Sequence, residues 1–346
     1  MVVICWKQIP VYAAKCIGAF VDSTNEEVVV LRWPGNRFAA ADAEKYTHCR
    51  IEDVTDTDSR SLVDIFGRVP EVILSGGWGA PSFRRWMREV KQKGGLVIAA
   101  TDEAFVDRSF RQFLRKWRLK LLYSRYIDFF FLAGAGGIKQ FVDYYGFPRS
   151  KVVTGLYAGD PRIFYNGVPL VERAKRFIFV GHLDANKNVL PMCEAFLKVH
   201  GRHPDWELEI CGSGPLEKSL PDREGIVFSG PIASEDLGEK YRHSRCFVLG
   251  SHFDQWGVVV HEAASCGCML VLSSHVGSRY DFAGEDNAVL FDPDSVTEFE
   301  RALEDVVCRS KGELERGQKQ SVELSERFSP AIFAKNLTRM VASPRK

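Results

Sequence analysis

The sequence lacks any run of about 18 consecutive apolar residues, the length that a membrane-spanning helix requires. Its first residues, MVVICWKQIP, contain only a short apolar run and no small-residue cleavage site of the kind that ends a secretion signal. These absences predict a chain that is neither exported nor membrane-spanning and that acts in the cytoplasm.

The sequence also lacks a net charge of either sign, because 46 lysine and arginine residues nearly balance 45 aspartate and glutamate residues. We therefore expect no nucleic-acid partner, since no overall field would attract one. A hydrophobic fraction of 45% is that of an ordinary globular protein, and 346 residues exceed what one ordinary core accommodates. These values predict two domains.

The sequence also lacks cysteines at the spacing that is typical of metal sites. The nine cysteines lie mostly within apolar segments, and the closest pair, Cys266 and Cys268, is separated by one residue, which is shorter than usual for zinc or thioredoxin-like sites. We expect reduced cysteines that pack in the core. The Asp-Thr-Asp sequence at 56–58 mimics a metal-binding pattern but lies in an acidic turn without a strong strand before it, so we predict no metal.

Two series of short β-branched segments alternate with helix-like segments, the pattern of parallel α/β units. The first series is VVICW, EVVVLRW, EVILSG, GLVIAATD, DFFFLAG and KVVTGL, and the second is RFIFVG, WELEICG, GIVFSG, RCFVLGS, CMLVLSS and NAVLFD. Amphipathic spacing predicts helices at 189–200, 235–243 and 296–307, and a serine followed by proline predicts the start of another at 330–341. We therefore expect an α/β protein with Rossmann-like domains at 1–165 and 174–327, and a C-terminal helix within 328–346 that packs back on the first domain.

The most informative segment follows the strand RCFVLGS, because ligands of parallel sheets bind beyond the carboxyl ends of the strands. In HFDQWGVVVHEAASCG, seven residues separate Asp254 from Glu262, and Gly257 opens a predicted helix. The free N–H groups of that helix start could bind an anionic group, while the carboxylates accept hydrogen bonds from sugar and ribose hydroxyls. The alternative is an unrelated pair of loop and helix-surface carboxylates.

DQWGVVVHEAASCG resembles the E-x7-E segment of family 4 retaining glycosyltransferases of the GT-B fold, with aspartate in place of the first glutamate. Upstream, FIFVGHLDANKNVLPMCEAF resembles the strand, phosphate loop and following helix of that family. ICGSGPL and VFSGPIASEDLGEKYRHS resemble the next two units in the same order. The resemblance implies a GT-B protein whose two parallel-sheet domains face a central cleft, and a retaining, metal-independent hexosyl transfer without a cofactor.

The resemblance also implies roles for individual residues. Glu262 would hold the ribose, Asp254 would bind hydroxyls of the donor sugar, and Lys187 would neutralise the diphosphate. The predicted donor-binding set at the strand ends of the second domain is Gly181, His182, Gly212, Gly230, Pro231, Trp256, Gly257, Val258 and Glu262. The predicted catalytic set is Lys187, Asp254 and Asp102.

His182 stands where the family usually has arginine. Histidine is only partly charged at neutral pH and lacks the bidentate fork of arginine. We therefore expect diphosphate binding to rest mainly on Lys187 and on helix N-termini. The alternative is that His182 packs or caps.

Two features of the first domain are candidates for acceptor binding. Asp102 follows the strong strand GLVIAATD and is predicted to contact the acceptor or the donor sugar, with a simple helix cap as the alternative. The segment RSFRQFLRKWRLKLLYSR, residues 108–125, has seven basic residues, no acidic residue and interleaved aromatic residues. It is either a solvated helix face or a patch for an anionic acceptor or the cytoplasmic membrane surface.

Together these observations predict an enzyme that moves a sugar from a nucleotide diphosphate donor to a hydroxyl of a saccharide or lipid-linked acceptor in glycan or polysaccharide biosynthesis. It would be cytoplasmic, with peripheral contact to the membrane. The alternatives are a two-domain sugar-nucleotide-binding protein without chemistry, and a sugar-nucleotide epimerase or hydrolase on the same scaffold.

Overall fold

The computed structural model describes residues 1–33, 40–104 and 110–344 of the chain. The chain divides into two compact units, Met1–Ala158 with Phe328–Lys346, and Gly159–Arg327. The division falls after Ala158 and not at 165–174, between the two predicted domains. Residues that follow Ala158 form hydrogen bonds with the second unit. Arg242 donates to the carbonyl oxygen of Ile163 at 2.7 Å, and Arg173 donates to that of Val168 at 2.8 Å.

The first unit is built on a parallel sheet of seven strands in the order β3-β2-β1-β4-β5-β6-β7. The strands are β1 (Val2–Trp6), β2 (Val28–Arg32), β3 (Arg50–Asp53), β4 (Val72–Gly76), β5 (Leu96–Thr101), β6 (Phe129–Leu132) and β7 (Val152–Thr154). The helices are α1 (Val11–Ser23), α2 (Ala40–Thr47), α3 (Leu62–Phe66), α4 (Pro81–Gln92), α5 (Phe110–Arg118) and α6 (Ala135–Ile138), with π-helical segments at Leu119–Tyr123 and Lys139–Tyr144. The central strands are buried on both faces, as their continuous apolar sequences predict.

The second unit has a parallel sheet of six strands in the order β10-β9-β8-β11-β12-β13. The strands are β8 (Ala174–Val180), β9 (Glu207–Cys211), β10 (Ile226–Gly230), β11 (Ser244–Leu249), β12 (Met269–Ser273) and β13 (Ala288–Phe291). The helices are α7 (Val189–His200), α8 (Ser234–His243), α9 (Val258–Ser265), α10 (Arg279–Phe282), α11 (Val296–Val307) and α12 (Lys311–Ser325). The predicted fold class, two Rossmann-like domains with parallel sheets, is confirmed.

Strand β3 was not predicted. Its sequence, RIED, is mostly polar, and it lies at the edge of the first sheet with both end residues exposed. An edge strand of this kind carries no continuous apolar signal, because only one side of it pairs with another strand.

The last helix, α13 (Pro330–Val341), packs against α1 in the first unit. Ser329 caps it by accepting a hydrogen bond from the Ile332 N–H at 3.1 Å, and proline occupies the first turn. The Phe333 ring lies 5.2 Å from that of Phe131, between ring centroids. The helix is therefore attached to the first unit although it follows the second in sequence.

The cysteines are free thiols, and Cys266 and Cys268 are buried. Burial raises the pKa of Cys268 to about 11, so its thiol stays neutral at physiological pH, which suits a packing role. Within the described ranges, no helix combines the length and apolar character needed to cross a membrane.

Replacing Leu337 with alanine should destabilise the first unit by about 2–5 kcal/mol, because Leu337 is fully buried on α13 and its removal leaves a cavity. Denaturant unfolding followed by tryptophan fluorescence would measure the change. Lys335→Ala is the control, since Lys335 is exposed on the same helix. Equal unfolding midpoints for the two variants would contradict a stabilising role for α13.

Candidate functional site

The strand order of the second unit creates a binding position at one point of its sheet. Strands β8 and β11 are neighbours, but the strands that follow each of them lie on opposite sides. In open parallel sheets, ligands bind beyond the carboxyl ends of the strands where the order reverses in this way. The loops that leave β8 and β11, residues 181–188 and 250–257, meet at this position.

Hydrogen bonds hold these two loops together. The side-chain amide of Asn186 donates to the carbonyl oxygen of Phe253 at 2.9 Å, and the His252 N–H donates to the carbonyl oxygen of Asn186 at 2.8 Å. The Lys187 ammonium nitrogen lies 2.5 Å from a carboxylate oxygen of Asp254. The predicted catalytic lysine and aspartate, 67 residues apart in sequence, are thus in contact.

The conformation of the loop after β8 directs Lys187 toward Asp254. Asp184 begins a short 3-10 helix, Ala185–Lys187, and its side chain accepts a hydrogen bond from the Lys187 N–H at 2.9 Å. Asn188 then adopts a left-handed conformation with φ 58°, which asparagine tolerates better than most residues. Its buried side chain donates to the carbonyl oxygen of Pro293 at 2.8 Å. This bond attaches the turn to the loop that follows β13 in the same unit.

Asp254 lies against the N-terminus of α9. Gly257 caps this helix with φ +75°, and a Cβ atom there would come within 3.3 Å of an Asp254 carboxylate oxygen. The backbone conformation therefore favours glycine, and any larger residue would also crowd the carboxylate. Val258, the first residue of α9, is partly exposed, so the positive end of the helix dipole is open to a ligand.

Glu262, inside α9, is only 7% exposed. Burial raises the pKa of Tyr241, and the negative charge of Glu262 raises it further, so the carboxylate and this phenol share one environment. The Tyr241 hydroxyl is buried and has no hydrogen-bond partner among the described residues. The ribose contact of Glu262 stays a prediction, and only a small part of its surface is open to a ligand.

Three predicted glycines lie side by side at the strand ends. The Gly181 N–H donates to the Cys211 carbonyl oxygen at 3.0 Å, and the Gly212 N–H donates to that of Gly230 at 2.8 Å. A Cβ atom on Gly212 would approach the Gly181 carbonyl oxygen to 1.9 Å. The ends of β8, β9 and β10 thus meet at residues that have no side chains. The space that side chains would otherwise fill is open to a ligand.

The remaining predicted donor residues differ in their accessibility. His182 and Pro231 are exposed, whereas Trp256 is 3% exposed. The Trp256 indole nitrogen donates to a carboxylate oxygen of Asp281 at 2.9 Å, and its ring packs on Phe282. Trp256 therefore positions the loop from inside the unit. Asp281 carries no recognisable motif in sequence, and its role follows only from this contact.

In the first unit, Asp102 follows β5 and is partly exposed. Burial raises the pKa of Tyr157, with Asp102 as a further cause, so the two side chains lie close together. The neighbouring Glu103 is buried, accepts a hydrogen bond from the Tyr145 hydroxyl at 2.7 Å, and lies 3.0 Å from Arg115. Glu103 was not among the predicted site residues, which included only the aspartate beside it.

The basic segment at 108–125 begins in residues outside the described part of the chain, where Arg108 lies. The described remainder presents large apolar side chains to solvent: Phe110, Phe113, Leu114, Trp117, Leu121 and Leu122. Basic residues alternate with them at Arg115, Lys116, Arg118 and Lys120. Contiguous exposed apolar side chains of this kind are typical of a surface that binds a membrane or a partner, and both predicted alternatives for this segment stay open.

Metal binding was predicted to be absent, and this stays a prediction. Across the described ranges, one cluster has donor atoms close enough for one metal ion, and it consists of His203, Glu304 and Cys308. Arg202 and His203 already pair with the Glu304 carboxylate, at 2.6 and 2.7 Å. In the Asp-Thr-Asp segment, Asp58 is paired with Arg60, which lowers the pKa of Asp58.

Comparison with known proteins gives matches to glycosyltransferases. The sequence model of the family described as Glycosyl transferases group 1 matches residues 165–321. An uncharacterized glycosyltransferase of Methanocaldococcus jannaschii is 28% identical over 143 residues, which cover 38% of this chain and 36% of that protein. The mannosylfructose-phosphate synthase of Agrobacterium fabrum is 27% identical over 134 residues, which cover 34% of this chain and 30% of that protein. The chain spans about a third of the length of these relatives.

The crystal structure of the Anabaena protein HepE in complex with UDP-glucose is similar over the whole chain. It covers 99% of both chains with a TM-score of 0.75 and 12% identity. At this identity the likeness establishes the fold alone, and that fold is GT-B.

Replacing Trp256 with phenylalanine should destabilise the second unit by about 1–3 kcal/mol, because the buried Asp281 carboxylate loses a hydrogen-bond donor. Denaturant unfolding would measure this loss. Trp206→Phe serves as the control, because Trp206 is equally buried but packs on Phe177, and no hydrogen bond of its indole is found among the described residues. Equal losses in both variants would mean that ring packing, not the hydrogen bond, matters.

Proposed function

We propose that the chain transfers a sugar from a nucleotide diphosphate donor to a hydroxyl of a saccharide or lipid-linked acceptor, with retention of anomeric configuration, in glycan or polysaccharide biosynthesis. The observation that carries the proposal is the contact of Lys187 with Asp254 where β8 and β11 meet. Both residues lie within the segment that matches Glycosyl transferases group 1. The similar protein that was crystallised with UDP-glucose supports a nucleotide sugar as donor.

In this proposal, Lys187 and Asp254 exchange partners when the donor binds. The ammonium group turns from the carboxylate to the diphosphate, where negative charge develops as the sugar leaves. The carboxylate then accepts hydrogen bonds from hydroxyls of the donor sugar. The N-terminus of α9, capped by Gly257, adds N–H groups and a positive dipole end at the same place.

The proposed reaction needs neither a protein nucleophile nor a metal. The bond between the anomeric carbon and the diphosphate oxygen breaks, and the acceptor oxygen forms its bond to the same face of that carbon. An oxygen of the departing diphosphate takes the acceptor proton. Lys187 and the helix terminus stabilise the diphosphate charge, which makes electrostatics the main catalytic contribution.

The other predicted contacts complete this proposal. Glu262 would bind the ribose, and Gly230 with Pro231 would border the base. His182, exposed in the loop after β8, would add a partial charge to the diphosphate site. Asp102, in the first unit, would contact the acceptor or the donor sugar.

Two substitutions should separate donor binding from turnover. Glu262→Gln should weaken binding of UDP and UDP-glucose alike by about tenfold, because the ribose contact loses a charge-assisted acceptor. Asp254→Asn should keep UDP binding but lower the transfer rate by roughly tenfold or more, because the sugar contact is weakened during the reaction. Thermal shift with each ligand and an assay of UDP release would measure both effects.

Glu285→Gln is the control, since Glu285 is exposed in the same unit. Near-normal binding and transfer in both site variants would show that the carboxylates were wrongly assigned. Nucleotide release without an added acceptor would indicate a hydrolase, and stabilisation without any release would indicate a binding protein.

We further propose that the exposed apolar and basic surface of α5 and the following π-helical segment binds the anionic surface of the membrane. Apolar side chains such as Trp117 and Leu121 can enter the boundary between headgroups and acyl chains. Lys116 and Lys120 add attraction to anionic lipids. This contact would keep the enzyme peripheral on the cytoplasmic face.

Replacing Trp117 and Leu121 with serine should reduce binding to vesicles of phosphatidylcholine and phosphatidylglycerol by roughly tenfold, because buried apolar area is lost from the contact. Co-sedimentation at low and high salt would measure it. Leu290→Ser is the control, because Leu290 is similarly exposed but lies on β13 in the other unit. Unchanged vesicle binding by the double variant would leave this surface as a solvated helix face.

A further inference from the structure

A pocket in the first unit has no part in the donor site, and it borders the surface of α5 that is proposed to contact the membrane, with which it shares Leu114 and Arg118. Its volume is about 570 Å³, and it lies beyond the carboxyl end of β4. Its lining residues come from the loop after β4, from α4, and from α5 with the π-helical segment that follows it. We name it the arginine pocket, and its main lining residues are Trp78, Arg84, Leu114, Arg115, Arg118 and Tyr123.

Packing and hydrogen bonds fix one wall of the arginine pocket. Trp78 follows β4, and its ring meets those of Phe130 and Phe141 edge-on at centroid distances of 6.1 and 6.2 Å. Arg84, in the first turn of α4, donates to the carbonyl oxygen of Gly79 at 2.6 Å and more weakly to that of Trp78 at 3.3 Å. The loop and the helix are thereby joined, with the guanidinium group at the pocket wall.

The three arginines differ in how far their charges are compensated. Arg115 lies 3.0 Å from the buried carboxylate of Glu103, so its charge has an acidic partner. The partners of Arg84 are neutral carbonyl groups, so its charge remains. Across the described ranges, no carboxylate lies within ion-pair distance of Arg84 or Arg118, and none of the described lining residues is acidic. The pocket therefore holds two uncompensated positive charges.

We propose that the arginine pocket binds a phosphate group that the acceptor carries. A phosphomonoester has a charge of about −1.5 to −2 at neutral pH, which matches the two free guanidinium groups, whereas a carboxylate would neutralise only one. The planar fork of arginine also fits phosphate oxygens in a bidentate way. Trp78, Leu114 and Tyr123 supply apolar contacts for the part of the ligand next to the phosphate.

The phosphate could belong to a soluble sugar phosphate or to a lipid headgroup, and both present the same chemistry to the pocket. Only the assignment of the ligand as acceptor rests on the proposed function, since phosphate binding itself does not require glycosyl transfer. Binding measurements can therefore test the pocket without the donor.

The test uses the full chain and two probes. sn-Glycerol 3-phosphate, measured by isothermal titration calorimetry, represents the soluble phosphomonoester, and phosphatidylcholine vesicles with and without phosphatidic acid represent the lipid source. Arg118→Gln should weaken binding by about tenfold, because one charge-assisted pair is lost while Arg118 makes no hydrogen bond found among the described residues. Arg84→Gln together with Arg118→Gln should abolish binding above background.

The control is the double variant Lys93→Gln with Arg125→Gln, which removes the same charge from exposed positions of the same unit outside the pocket. Arg118-dependent binding of glycerol phosphate would identify a soluble source. Arg118-dependent binding of phosphatidic acid vesicles, but not of phosphatidylglycerol vesicles, would identify a lipid source, because both lipids are anionic and only phosphatidic acid carries a phosphomonoester; an equal loss with both lipids would indicate the membrane contact of α5 instead. Failure of both probes, or equal weakening by the control, would overturn the proposal. UDP-glucose stabilisation in every variant reports the donor site separately, so loss of the pocket and loss of the proposed function are distinguishable.

Discussion

In a parallel sheet whose strand order reverses, two neighbouring strands send their chains to opposite sides, and the space between their carboxyl ends is not covered by a connection. Strands β8 and β11 have this relation in the second unit. Their loops supply Lys187 and Asp254, while glycines at the ends of β8, β9 and β10 keep the adjoining edge free of side chains. The position of the candidate site follows from this topology.

The charges at this position are arranged so that a ligand can replace an internal contact. The Lys187–Asp254 pair is mostly shielded from water, and the close contact of the two groups offsets part of the cost of that desolvation. A donor diphosphate would offer the ammonium group a partner of higher charge, and donor hydroxyls would satisfy the carboxylate. In the proposed function, the pair thus holds both groups in position before a donor binds.

Sequence patterns predicted the buried strands well, because burial on both faces of a parallel sheet leaves continuous apolar segments, but they did not single out the two longest helices, α1 and α12. The helices Val189–His200, Val296–Val307 and Pro330–Val341 have the predicted bounds. The polar edge strand Arg50–Asp53 was missed because its stability comes from pairing along one side, which leaves little trace in local sequence. The family resemblance indicated which residues are candidates for donor binding, but it did not predict which of them contact each other.

By itself, the sequence determined the two parallel α/β units, the order of their elements and the residue types at the strand ends, because these depend on local apolar periodicity and on backbone conformations that only glycine or asparagine adopts readily. Tertiary structure alone decided which residues meet. Lys187 contacts Asp254 across 67 positions, Asp281 holds Trp256 across 25, and Glu103 compensates Arg115 but leaves Arg84 and Arg118 charged. Such contacts join loops from different strands, and their distances depend on the register of the sheet and the packing of its helices, which no local pattern encodes.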